Sequence, residues 1–182
     1  MSGGKWTSTS MPYLAPGAPG APDAWTKEAR AAGRRGSQRI VRAGETPAPE
    51  EVALMLGLPP GEPVVVRRRI IELDGEPTEL TDTYYPADIA AGTALTGTAK
   101  IPGGAVTLLA ALGHTGARVV ETVTARMPGD GERQQLHLGE GEPVLRLART
   151  TYDSADRAIQ ADVMVMPAGR QQLRYEIRLG GA

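Results

Sequence analysis

The sequence predicts an α+β domain built on an antiparallel six-stranded sheet, with helices inserted between strands and two pseudo-symmetric hairpins at its heart. Three observations lead there. A Gly-Glu-Pro segment recurs about 80 residues apart, followed each time by β-branched residues, an Asp-rich turn and a second apolar strand ending in proline. Other stretches alternate with the two-residue period of a strand. The helical stripes between them are short and stop at glycine.

The totals bound the answer. A chain of 182 residues fits one domain with a tail. Net charge −1 and pI ≈ 6.2 give no reason to expect a polyanion or an anionic membrane as partner. Cysteine is absent, which removes disulfides and thiolate metal sites. The longest apolar runs, such as Val64 to Val66 and Val163 to Met166, are far too short to span a bilayer. Met1 to Ser10 lacks the apolar core of a signal peptide. A soluble cytoplasmic protein is expected.

Residues 1–37 differ from the rest. Pro16-Gly17-Ala18-Pro19-Gly20-Ala21-Pro22 holds neither a helix nor a central strand, because proline lacks an amide donor and glycine costs backbone entropy. This is an extended arm. Its aromatics, Trp6, Tyr13 and Trp25, are unusual for a linker and point to docking on the domain or on a second subunit. Ala24 to Ala32 predicts a short helix stopped by Gly33.

The body, residues 38–182, opens with a strand over Arg39 to Ala43. Pro49 to Gly57 then predicts a helix, with acids in its first turn, glycine at its end, and Val52, Met55 and Leu56 as its apolar stripe. The repeat follows. Leu56-Gly57-Leu58-Pro59-Pro60-Gly61-Glu62-Pro63-Val64 returns as Leu138-Gly139-Glu140-Gly141-Glu142-Pro143-Val144, with Arg69 and Arg149 at matching places. The turns are Asp74-Gly75-Glu76-Pro77 and Asp153-Ser154-Ala155-Asp156, and the closing prolines are Pro86 and Pro167. Asp-Gly tolerates positive φ and so marks a tight hairpin. The period is too long for a solenoid; two matched hairpins in one sheet are expected.

Between the hairpins, Ala90 to Ile101 reads as a loop or short helix. Gly104 to Leu112 reads as a helix with Val106, Leu109 and Ala110 on one stripe. Arg118 to Arg126 is a strand whose Val119, Glu121, Val123 and Ala125 share a face. A short helix is expected over Glu132 to Leu138, and the alternation of Leu173 to Leu179 predicts a final strand.

The candidate chemistry is that of binding. His114 and His137 lie in separate segments, whereas a zinc site needs convergent ligands, so two surface histidines and no metal are expected. There is no Gly-x-Ser-x-Gly, and no Walker or Rossmann glycine pattern. Pro102-Gly103-Gly104 precedes a helix, where free amides can face an anion. In Arg67-Arg68-Arg69 the strand period puts Arg67 and Arg69 on one face and Arg68 on the other, so no phosphate-tracking patch forms; one or two arginines point into a groove on the sheet. Glu79, Thr81, Thr83 and Tyr85 share one face of the first hairpin, and Gln160, Asp162, Met164 and Met166 one face of the second. Glu79 and Asp162 suit a solvent-facing row. The two methionines suit burial. Apolar walls with a few fixed polar groups are the make-up of a small-molecule pocket.

These segments, in order and spacing, resemble the UTRA domain of the GntR superfamily of bacterial transcription regulators, in the subfamily related to histidine-utilisation repressors. The resemblance rests on Pro49-Glu50-Glu51-Val52-Ala53, Gly61-Glu62-Pro63-Val64 with Arg69, Thr83-Tyr84-Tyr85-Pro86, Arg149-Thr150-Thr151-Tyr152-Asp153, and Gly169-Arg170. It covers roughly Gln38 to Leu179. It implies a chorismate-lyase-like fold, a homodimer through this domain, and a small-molecule effector on the sheet that alters the spacing of two winged-helix heads. By position, Arg69 matches an arginine that often contacts the effector. Thr81 and Gln160 fall where sugar-phosphate-sensing members carry glutamates. Ile71 replaces a second pocket arginine, and Met166 a pocket tyrosine, which implies a less charged, more hydrophobic ligand. The effector-contacting set expected is Arg69, Thr81, Gln160, Met166 and Gly104, with no cofactor.

Residues 1–37 are too few and too Pro/Gly-rich for a winged helix, so that domain is expected to be absent and the chain is not expected to contact nucleic acid by itself. Two other functions fit the same residues: an enzyme of the chorismate-lyase kind, for which only Arg69 stands out as a cation, and a head-less dimerisation partner of full-length regulators.

Overall fold

A computed structural model describes residues 5–17 and 22–176. In chain order the elements are β1 (Trp6–Ser8), a 3-10 turn (Met11–Tyr13), α1 (Ala24–Ala31), β2 (Gly36–Pro47), α2 (Glu50–Leu56), β3 (Pro63–Leu73), β4 (Glu76–Pro86), α3 (Ala87–Ala90), a 3-10 turn (Ala94–Thr96), α4 (Ala105–Ala111), β5 (Arg118–Arg126), α5 (Asp130–Gln135), β6 (Val144–Tyr152), β7 (Ala158–Pro167) and β8 (Gln171–Leu173). Six strands form one antiparallel sheet in the order β2-β3-β4-β7-β6-β5.

The hairpin repeat sets this order. The two return strands, β4 and β7, pair at the centre with Thr81 opposite Met164, Asp82 opposite Val163 and Thr83 opposite Asp162. Thr81 thus stands to Met164 as Asp162 stands to Thr83, a local pseudo-twofold about the Asp82–Val163 pair. Each hairpin also carries an extra residue in its return strand: Thr78 in β4 and Ile159 in β7, at equivalent places. The Asp74-Gly75 turn takes the expected positive φ, 56° and 91°. In the second turn the Asp153 carboxylate accepts from the amides of Ala155 and Arg157.

Both sheet faces are covered. On one, Val52, Ala53 and Leu56 of α2 pack on Val64, Val66, Tyr84 and Ala161. Gly57 ends that helix in the left-handed region at φ 66°, where a side chain would be strained. On the other face Val65, Tyr85 and Ile159 pack against Ile89, Leu95, Ile101 and Leu109. Val64 and Val65 are wholly buried on opposite faces, each contributing about 1.5–3 kcal/mol.

Several boundaries differ from expectation for identifiable reasons. β2 pairs with β3 from Gly36 to Pro47, well beyond Arg39 to Ala43; as an edge strand with mostly polar side chains it shows little alternation. α5 starts two residues early because Glu132 reaches back to accept the Gly129 amide at 2.8 Å, and His137 at φ 50° lies just beyond its end. The last strand is only Gln171–Leu173. It pairs in parallel with β1, which is three residues long, so the ladder runs out; residues 174–176 are not strand, and the part expected over 177–179 lies outside the described residues. The arm is not merely extended. It docks on its own domain: Trp25 buries its ring against Ala29, Ile71 and Leu73, and its indole N–H donates to the carbonyls of Ser37 and Glu72.

Candidate functional site

The face carrying Val65, Arg67, Arg69 and Ile71 holds a cavity of about 1070 Å³. Its floor is the alternate residues of the two hairpins. The rest of its lining comes from residues 98–106, from the arm, and from Gln38, Ile40, Gln171 and Leu173 of β2 and β8. Arg69, Thr81, Gln160, Met166 and Gly104 all line it, as do Ile71 and Met164. The two extra residues, Thr78 and Ile159, immediately precede Glu79 and Gln160; such bulges re-aim the side chains that follow. Sequence reasoning missed them because a one-residue mismatch between hairpin arms leaves no compositional mark.

The three arginines of β3 have separate fates. Arg67, 4% exposed, is consumed by structure: its guanidinium donates to the carbonyls of Ala94, Leu95, Gly97 and Ala99 and so fixes the loop that leads to Lys100. Arg68 faces the other way and forms a bidentate pair with Asp82. Arg69 lies over the cavity floor, its Nη2 donating to the Thr83 hydroxyl at 2.9 Å and its Nη1 reaching Gln38 Oε1 at 3.5 Å. It has no carboxylate partner among the described residues.

Beneath Arg69 runs a buried polar chain. The Thr83 hydroxyl accepts from Arg69 and donates to Asp162 Oδ1 at 2.7 Å, while Gln160 Nε2 donates to Asp162 Oδ2 at 2.8 Å. Asp162 is 3% exposed. Glu79 also lines the cavity and accepts from the Thr81 hydroxyl. The solvent-facing row expected for Glu79 and Asp162 is therefore corrected: the arm and residues 98–106 cover this face of the sheet. Burial pushes the Glu79 carboxyl above its ordinary range, against the opposing pull of Thr81, Arg69 and Arg149.

The arm supplies what the sequence left open. Tyr13 donates to Glu28, and burial followed by that carboxylate pushes its phenol up. Lys100 bridges to Asp23 at 3.1 Å. Burial alone would raise Asp23, but the Thr26 amide and Lys100 outweigh it and hold the carboxyl low. The aromatics of the arm were the only sequence signal for this wall. The helix-start reading of Gly104 finds a backbone at φ 85° ahead of the seven-residue α4. His137 is exposed and His114 half-buried, and no cluster of metal-binding side chains occurs among the described residues.

A sheet built from two pseudo-symmetric hairpins, roofed on one face over a large cleft, invites comparison with known domains. Residues 31–172 match the UTRA domain family. The chain belongs to the UTRA family. It is thus the effector-binding domain type of GntR-family transcriptional regulators. It is 28% identical over 148 residues to an HTH-type transcriptional regulator of Streptomyces coelicolor, covering 80% of this chain and 55% of the relative. It is 28% identical over 136 residues to the HTH-type transcriptional repressor PhnF of Mycolicibacterium smegmatis, covering 75% and 55%. The crystal structure of the PhnF effector domain superposes with TM-score 0.73 at 24% identity, over 90% of this chain and 98% of that one. The C-terminal domain of the histidine utilization repressor from Pseudomonas syringae gives 0.68 at 22%, over 80% and 100%. These superpositions establish the UTRA fold. The chain spans about half the length of the curated relatives it matches. No described helix is long and apolar enough to cross a membrane.

Proposed function

We propose that this UTRA domain senses a small molecule in the cavity over its sheet and serves, as a homodimer in the cytoplasm, to set the DNA affinity of a transcription regulator through a winged-helix part beyond the residues seen here. The observation that carries this reading is Arg69: a cation lining a large cleft, held in place by Thr83 and in no direct ion pair among the described residues. Thr81, Gln160 and Met166 are the neighbouring effector contacts, with Gly104 at the loop wall. Binding is favoured over turnover because the second arginine of the repeat, Arg149, is engaged by Glu121, which leaves Arg69 without the second free cation that chorismate-lyase chemistry calls for.

A thermal-shift screen of metabolites tests it. A ligand at a hundred times its dissociation constant adds about 2.7 kcal/mol of stability, roughly 5–10 °C for a domain of this size. Arg69→Gln should abolish the shift. Absence of any stabilising small molecule would remove the sensing role, and sustained release of pyruvate from chorismate would replace it with catalysis.

A further inference from the structure

Two carboxyls, Glu79 and Asp162, line the floor of the cavity, and their surroundings differ. Both oxygens of Asp162 accept hydrogen bonds, from Thr83 and from Gln160, and through Thr83 the carboxylate stands two hydrogen bonds from the Arg69 guanidinium. That relay answers the Arg69 charge without a direct ion pair. Of the other cations in the lining, Arg149 is engaged by Glu121, Lys100 by Asp23 and Arg67 by four carbonyls, while Lys27 is solvent-exposed.

Glu79 is the exception. Among the described residues it accepts from the Thr81 hydroxyl alone and joins no ion pair. It is deeply set, yet part of its surface stays open, and Glu79 lines the cavity. Arg69 and Arg149 act on it only through space, from β3 and β6; Asp162 opposes them from β7, and the Tyr13 phenol feels its charge from the arm. Burial outweighs the two arginines and holds the carboxyl above its ordinary range. Two carboxyls in one site with unlike surroundings divide their roles, one accepting and the other keeping a proton.

We propose that the cavity takes an uncharged carbonyl compound, and that Glu79, as a carboxylic acid, is the specificity residue that donates its O–H to the carbonyl oxygen. This assignment rests on the sensing role above and names the ligand's chemistry and the residue that reads it. With Thr81 donating to one oxygen of Glu79, the acid proton sits on the other, which no described residue engages. An ionic ligand would bring a charge to a lining whose own ions are already matched, and that charge would go unanswered. A neutral oxygen takes the Glu79 proton and leaves the relay from Arg69 to Asp162 intact. Ile71, Leu147, Met164 and Met166 give an apolar body its contacts. The donor exists only while Glu79 is protonated, so affinity is full below its folded value and is lost as pH rises through it.

Three probes share one body and differ in charge: 2-acetylnaphthalene, 2-naphthoate and 2-naphthylmethylammonium, each titrated calorimetrically into the full chain. At about pH 5 wild type should bind the ketone at least roughly tenfold more tightly than either ion. Glu79→Ala should weaken the ketone roughly five- to fiftyfold. Glu79→Gln, which donates from its amide at every pH, should restore binding and remove its pH dependence. In wild type the Glu79 carboxyl, followed by carbon-13 NMR, should ionise above the ordinary glutamate range, and ketone affinity should fall along the same curve; this readout needs no variant to fold. A Glu79 that ionises in the ordinary range overturns the donor role whatever binds. So does a wild type that binds none of the probes, or binds an ion as tightly as the ketone. In each of those cases an Arg69-dependent hit of other chemistry in the metabolite screen still supports sensing.

Discussion

Arg69 and Arg149 occupy the same place in the two hairpins, but among the described residues only Arg149 is in a direct ion pair: its Nε donates to Glu121 Oε1 at 2.6 Å, while Arg69 donates to the neutral Thr83 hydroxyl and its own Nε has no partner there. The flanking strands explain the split. β5 sets Glu121 directly opposite Arg149, whereas β2 sets Ile40 opposite Arg69. One copy of the repeat thereby becomes a structural ion pair and the other a cavity cation.

Breaking the first should be costly. The Arg149 and Glu121 side chains are 8% and 11% exposed, so Glu121→Ala leaves a charge with little water to take it up. We expect a loss of roughly 3–5 kcal/mol in urea denaturation, with much of it recovered in the double variant Glu121→Leu/Arg149→Met.

The two carboxylates near these arginines should titrate in opposite senses. Burial would raise Glu121, but the Ser10 hydroxyl, Arg149 and Tyr175 outweigh it and hold it below its ordinary range. Its stabilisation is therefore present above the unfolded value of about 4.3 and is lost as pH falls through the lower folded value. Glu79 is raised, so its contribution is present at acid pH and is lost as pH rises through its folded value. Glu79→Gln should accordingly gain stability over wild type at pH 7 and lose that advantage at pH 4, measured as the difference in urea midpoint.

Arg67 should matter for the cavity wall and not for ligand charge. Arg67→Met releases the carbonyls of Ala94, Leu95, Gly97 and Ala99. Amide exchange across residues 94–100 should accelerate, and the domain should lose about 1–3 kcal/mol.

Gly36 is where the arm helix and the sheet touch. A methyl group there would stand 2.8 Å from both Trp25 Nε1 and Ala29 Cβ. Gly36→Ala should push α1 off β2, costing about 1–3 kcal/mol and shifting the Trp25 emission towards that of exposed indole.

Sequence alone determined the hairpins, their turns, the Gly57 stop and the sharing of a face by Arg69 with Arg67 but not Arg68. All of these follow from local periodicity, turn chemistry and the repeat, which are written residue by residue. It also put Thr81 on one row with Glu79, and Gln160 and Met166 on one row with Asp162. Only tertiary structure decided what covers that face. Burial of Asp162, enclosure of Glu79, the capture of Arg149 by Glu121 and the docking of Trp6 beside the cleft depend on strand neighbours and on a segment more than a hundred residues away in sequence from the strand it joins. Those contacts carry no local pattern, because side chains from distant segments meet only once the sheet has closed.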